Sequence, residues 1–317
     1  MNDFYNSLIS KVNIERTSFT LQPDNKSFFI GSCFSNNLQK RFNTLYLDTM
    51  ESPFGNIYNP ISLASGLMRI IENRAIIKDE CFIVDGLYQH FDFYSKLGCN
   101  NLENYISKIN KSVEKAHHYI LNANMLVITL GTAGVYEIQD QVVNNCHKLP
   151  SSTFNRKIIT MDRASLGLTK AINKLKKLNP KINIILTLSP VRHLRDTATE
   201  NSLSKATLRV AIDNIIKATD SFYFPSYEII LDELRDYRWF TKDLSHPTEQ
   251  AIEYVVSKFL ISCQSEELKT YIKRVQKINN MRNHIIIHND SDSTKKFIKT
   301  RNRNIKQLKE EYPFISL

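Results

Sequence analysis

Three short apolar runs in this sequence each stop at a turn of small residues, and stretches with helical spacing lie between them. Residues 27–30 run into Gly31-Ser32-Cys33-Phe34 and a helix-like stretch at 35–42. Residues 125–130 are closed by Gly131-Thr132-Ala133-Gly134, and residues 182–188 end in Ser189-Pro190. Short apolar runs bounded by turn residues read as buried strands, and strands alternating with helices predict a mostly parallel sheet covered on both faces. The same reading gives a further apolar segment at 45–47, a short strand at 222–224, a hairpin within 81–93, and helices at 102–121, 166–178, 201–218 and 247–262, the last opened by Pro247. Leu63, Leu67, Ile70 and Ile71 mark a further helix after the turn-rich segment 51–60. The expected fold is a three-layer α/β/α domain over residues 1–263, with a basic helical extension over 264–317 packed on it.

With 317 residues, of which 42% are hydrophobic and 23% charged, the chain can bury a full-sized core. It has no apolar run of the roughly 18 to 20 residues that a membrane span needs. Its first residues lack a basic start, an apolar run and a small-residue cleavage site, which leads us to expect a cytoplasmic protein. The five cysteines, Cys33, Cys81, Cys99, Cys146 and Cys263, are scattered without a CxxC pair, so free thiols are expected and neither a disulfide framework nor a zinc site. Between Leu268 and Lys309 twelve Lys and Arg stand against Asp290 and Asp292, which accounts for the whole net charge of +10. Such a stretch reads as a solvated helical face or as a docking surface. No nucleic-acid motif accompanies it.

In a sheet of this kind ligands bind at the carboxyl ends of the strands, where the turns at Gly31 and Gly131 lie. Asp243 and His246, three apart ahead of the last helix, have the spacing of a carboxylate that orients an imidazole general base, and equally that of a helix-entry pair before Pro247. A nucleophile on the strand-turn-helix at Gly31 would stand at the sheet edge beside the backbone N–H groups of a helix N-terminus.

The string Ile30-Gly31-Ser32-Cys33-Phe34-Ser35 resembles the signature of the GSCFA family, with Ser35 where that family usually has alanine. Similar strings follow in order: SPFGNIYNP at 52–60, TLGTAGVYE at 129–137, NCHKLP at 145–150, TLSPVRH at 187–193, YFPSYEIILDELRDYRWF at 223–240 and DLSHP at 243–247. That family is grouped with the SGNH, or GDSL-like, hydrolases, so the resemblance implies a three-layer α/β/α fold and acyl-ester chemistry. It places the Asp-His pair on Asp243 and His246 and a glycine oxyanion donor on Gly55. Counting from the glycine of Gly-Asp-Ser-Leu puts Cys33 at the nucleophile position; a turn shifted by one residue would put Ser32 there, and both readings stay open. Where the wider group has an oxyanion asparagine this chain has Ala133, which leaves Thr132 or Asn145 to take that role.

His147, Lys148 and His193, the last beside Arg192 and Arg195, would bind an anionic group if they act on a ligand. His90 lines the cleft or is a hydrogen-bonded core histidine. The aromatic string from Tyr223 to Phe240 reads as core or as a sugar platform. No metal and no resident cofactor is expected; a transferase would draw on an acyl-thioester donor such as acetyl-CoA. Together with these residues, the resemblance implies an acyl-ester hydrolase or O-acyltransferase acting on O-acyl groups of a carbohydrate through a covalent acyl-enzyme. The alternative is a binding protein for a glycan or another partner that keeps the fold without turnover.

Overall fold

The computed structural model describes residues 10–288 and 291–315. Residues 1–9, on which the leader reading partly rests, and Asp290 of the basic stretch lie outside the described residues. In chain order the elements are β1 (Ser27–Gly31), α1 (Cys33–Thr44), β2 (Thr49–Glu51), α2 (Pro60–Ile71), a hairpin of β3 (Phe82–Val84) and β4 (Leu87–Gln89), and α3 (Leu102–Ile120). Then come β5 (Met125–Leu130), β6 (Gly134–Ile138), β7 (Gln141–Val143), β8 (Asn155–Ile158), α4 (Met161–Leu178), β9 (Asn183–Leu188), α5 (Ala198–Thr219) and β10 (Phe222–Phe224). The chain finishes with α6 (Glu249–Cys263), α7 (Glu266–Arg282) and α8 (Asp292–Glu311).

Five strands pair in parallel in the order β10-β9-β5-β1-β2. Side chains alternate across the sheet: Phe28, Ile30, Leu126 and Ile128 join a core with α2, α3, α4 and α5, while Phe29, Met125, Val127 and Ile185 join one with α1, α6 and α7. This is the expected three-layer α/β/α architecture. Both faces are dry, which is why the central strands carry nearly continuous apolar runs instead of an apolar-polar alternation.

Three places add to or differ from the sequence reading. The apolar segment at 45–47 is a turn: Tyr46 is left-handed at φ 54°, and the N–H groups of Leu45 and Leu47 both donate to Phe42 O. Leu45 and Leu47 are apolar because they plug the core below α1, and pairing with β1 starts only at Thr49. α4 begins at Met161, earlier than expected, because Thr160 Oγ1 accepts from the Arg163 N–H and caps it there. Finally, residues 134–158 form a small antiparallel sheet, β7-β6-β8, that sequence periodicity did not reveal. It grows out of the turn after β5 and carries the segment 144–148 toward the end of the main sheet.

Candidate active site

The carboxyl ends of β1, β5 and β9 are locked together by backbone hydrogen bonds. Gly31 has φ +137°, and a Cβ there would sit 2.2 Å from Thr129 O, so only glycine fits between β1 and β5. The loop after β2 lies across this end: Ile57 N–H donates to Gly31 O at 2.8 Å, and the N–H groups of Gly131 and Thr132 both donate to Tyr58 O at 2.9 Å. A cleft of about 600 Å³ opens above, with Ser32, Cys33, Thr132, Asn145, His147 and His246 among its lining residues.

The two nucleophile candidates occupy different environments. Ser32 is the N-cap of α1 and 1% exposed; its N–H donates to Thr129 O at 3.0 Å and its Oγ accepts from Phe34 N–H at 3.4 Å. Cys33, the first residue of α1, is half-buried. Burial pushes its thiol pKa up; the charge of Lys205 and the N–H groups of Phe34 and Cys33 at the helix start act against that, while the charge of Asp243 adds to it. The thiol therefore senses both a buried ammonium and the carboxylate of the Asp243–His246 pair.

That pair is built by one tight loop. His246 Nδ1 lies 2.6 Å from Asp243 Oδ2, and since an ionised carboxylate only accepts, Nδ1 carries the proton. Asp243 Oδ1 accepts from Thr241 Oγ1 at 2.7 Å, Ser245 N–H at 2.9 Å and His246 N–H at 3.0 Å. Donation from the His246 and Ser245 N–H groups, then from the Thr241 and His246 side chains, holds this carboxyl far below the usual range. Ser245, fully buried, ties the loop to the cleft wall by donating from Oγ to Arg192 O at 2.7 Å. With Nδ1 engaged, Nε2 is the ring nitrogen left for proton transfer.

The structure distributes the remaining candidates unevenly. Asn145 lines the cleft, and its Nδ2 is enclosed with no hydrogen-bond partner among the described residues. Thr132 lines it too, but its Oγ1 accepts from Gly134 N–H at 2.9 Å and lies 3.0 Å from Ser204 Oγ. Ala133 is fully buried, and its N–H donates to Ser204 Oγ at 2.7 Å. His147 borders the cleft with both ring nitrogens engaged, Nδ1 with Ser95 Oγ and Nε2 with His90 O, each at 3.0 Å. Gly55 and His90 are not among the residues that line the cleft. Gly55, at φ +77°, packs on Tyr94 and its N–H faces Ser52 O at 3.4 Å. His90 is buried, accepts from Asp92 N–H through Nδ1 at 3.0 Å and stands edge-on to Phe93. His193 lines the cleft edge-on to Tyr58, and burial with neighbouring cations takes its pKa down to about 4. Among the described residues no group of three or more His, Cys, Asp or Glu is arranged to hold a metal ion.

Lys205 was not singled out from the sequence. It stands on α5 as one lysine in an amphipathic helix, yet its Nζ is buried and donates to Gly131 O at 2.6 Å and Ser189 O at 2.7 Å, bridging the ends of β5 and β9 under the cleft. Only the folded position distinguishes it from Lys217, the solvated lysine of the same helix.

The family model described as "GSCFA family" matches residues 26–259. No curated protein matches the sequence. Among solved structures, the chain is similar to a protein described as a GDSL-like lipase from Parabacteroides merdae, at 13% identity and TM-score 0.37 over 78% of this chain and 100% of that one. It is also similar to a carbohydrate esterase family 3 protein from Talaromyces cellulolyticus, at 10% identity and TM-score 0.34 over 78% and 98% of the two chains. A third is the periplasmic domain of a lipopolysaccharide acetyltransferase from Salmonella ser. Paratyphi A, at 12% identity and TM-score 0.38 over 76% and 84%. Among the described residues no helix is long and apolar enough to cross a membrane.

Proposed function

The chain belongs to the GSCFA family, and from that premise we propose that it is an acyl-transferring enzyme, an ester hydrolase or O-acyltransferase, that works through a thioester on Cys33. The observation that carries this reading is the shared cleft. Cys33 opens onto it from the N-terminus of α1, and His246, its Nδ1 fixed by Asp243, lines the same space. Ser32 spends its hydroxyl as the cap of that helix, which favours the thiol over the hydroxyl as nucleophile.

The raised thiol pKa means that Cys33 is protonated at neutral pH and needs a base. His246 Nε2 takes the Sγ proton as sulfur attacks the acyl carbon, and Asp243 stabilises the imidazolium that results. The oxyanion is held by the N–H groups at the start of α1 and by the orphaned Nδ2 of Asn145. Collapse breaks the ester C–O bond, and the imidazolium returns its proton to the leaving oxygen. Water or an acceptor hydroxyl then attacks the thioester, gives its proton to His246 and frees the thiol, which is reprotonated from the ring. Tyr58 and Tyr136 along the cleft suit a hydroxyl-rich partner such as a carbohydrate ester.

Intact-mass measurement after mixing with an activated acetyl ester tests this, with Ser32→Ala, Cys33→Ala and His246→Ala in parallel. An adduct is expected on wild type and Ser32→Ala and absent from Cys33→Ala and His246→Ala. An adduct that survives Cys33→Ala and disappears with Ser32→Ala would move the nucleophile to the serine. The buried Ala133, which presents no donor where an oxyanion amide would stand, favours a second reading as a binding protein without turnover. Absence of adduct and turnover from every variant and from wild type would select it.

A further inference from the structure

The cleft is lined by Lys148, Arg156, Arg192 and Arg195, with a single acidic residue, Asp196, among the residues around it. Asp196 is already paired with Arg156. Among the described residues no carboxylate forms an ion pair with Lys148, Arg192 or Arg195, whose side chains stand at the exposed rim. Overall basicity does not explain this bias, because the net charge of the whole chain lies between Leu268 and Lys309 and the remainder is neutral. Three other groups feel the resulting field. Burial lowers the proton affinity of His193, and Lys205, Arg156 and Arg195 lower it further; burial also lowers that of Lys205, with Arg192 adding to it; and burial pushes the Cys146 thiol up, with Arg195 opposing.

A concave polar site with cations that no carboxylate among the described residues pairs concentrates negative ligands and offers guanidinium forks to an oxyanion. We propose that the substrate is an acyl ester whose alcohol portion carries an anionic group, a carboxylate or a phosphate, held at the rim by Arg192, Arg195 and Lys148. The proposal rests on the acyl-transfer reading above and narrows its substrate class. Arg192 and Arg195 belong to the segment to which Ser245 anchors the catalytic loop, so an anion there lies on the same wall as His246.

Three acetyl esters with one framework test it: phenyl acetate, para-acetoxybenzoate and para-acetoxyphenyl phosphate. For the wild type, kcat/KM for one or both anionic esters should exceed that for phenyl acetate by about tenfold or more at low ionic strength, and the margin should shrink as salt screens the rim. The arm with the larger margin tells carboxylate from phosphate. In Arg192→Gln/Arg195→Gln the ratio of anionic to neutral kcat/KM should fall toward one. Turnover of phenyl acetate with no anionic preference would overturn the proposal and leave the acyl-transfer reading standing. So would a preference that persists in the double variant. No turnover of any of the three, together with no acyl-enzyme, would sink both. The salt response of the wild type needs no variant to fold.

Discussion

At the scale of single residues, Lys205 shows how a site can hold an ammonium that the sequence gives no reason to notice. Burial takes its pKa from the ordinary 10.5 to about 7, with Cys33 opposing that shift and Arg192 adding to it. Between those values the unfolded chain binds a proton that the folded chain binds less, so stability rises with pH across the window. The Cys33 thiol acts in the opposite sense, but only from about its ordinary 9.0 upward. The clean interval is therefore about pH 7 to 8.5. Urea unfolding across it should show wild-type stability climbing, by at most about 1.4 kcal/mol per pH unit from this group, and Lys205→Met lacking that component of the slope. Equal slopes in both proteins would mean that Lys205 is fully charged in the fold. By contrast, Asp243 and His246 were legible as a pair, because their chemistry depends on a local spacing of three residues in one loop. The candidates for an oxyanion donor were less so: Thr132 and Asn145 line the cleft and Gly55 does not, and Thr132 and Gly55 are engaged within the protein where Asn145 Nδ2 is not.

At the scale of elements, the sheet end depends on Gly31. A methyl group there would press against the Thr129 carbonyl at 2.2 Å while the backbone stays at φ +137°. Two costs add, overpacking against backbone that cannot rotate away and a conformation that disfavours a side chain, and together they come to about 3 kcal/mol or more. Gly31→Ala should lower the denaturant midpoint by a corresponding amount and disturb the Cys33 turn, so that acyl-enzyme formation slows in whatever fraction remains folded. Stability within about 0.5 kcal/mol of wild type would show that β1 and β5 can separate at this point without cost. The strands that build this end were readable where burial on both faces imposes a continuous apolar run, as in β5 and β9. β2 was not, since Thr49, Met50 and Glu51 sit at the sheet edge with partly exposed side chains and carry no such run. β6 to β8 were missed for a related reason: their mixed residues satisfy one small antiparallel sheet whose partners are fixed by the turn after β5.

At the scale of the whole molecule, the basic C-terminal stretch has two sides with different physical roles. Its lysines and arginines occur mostly at the outer surfaces of α7 and α8. The inner face of α7 places Leu268, Tyr271, Ile272, Val275 and Ile278 in the core that also holds Phe42 and Phe259, and Tyr271 Oη donates to Leu45 O at 2.9 Å. Each buried side chain of this size stabilises the fold by roughly 1.5 to 3 kcal/mol, so the five together rival the whole net stability of about 5 to 15 kcal/mol that a domain possesses. A chain ending at Ser265 should therefore fail to unfold cooperatively and should bind hydrophobic dye, having uncovered α1 and α6. α8 contributes far less, with Leu308 its single fully buried side chain and Tyr312 and Ile315 following it. A chain ending at Arg282 should stay folded at reduced stability. Calorimetry and dye binding on the two shortened chains decide the point. A cooperative transition near the wild-type midpoint for the chain ending at Ser265 would mean that the layers on the sheet are self-sufficient and that α7 serves only as a carrier of positive charge. Failure of that chain alongside survival of the chain ending at Arg282 would mean that charge and core share one helix, so the basic surface cannot be studied by deleting it and must be altered by substitution of its exposed lysines.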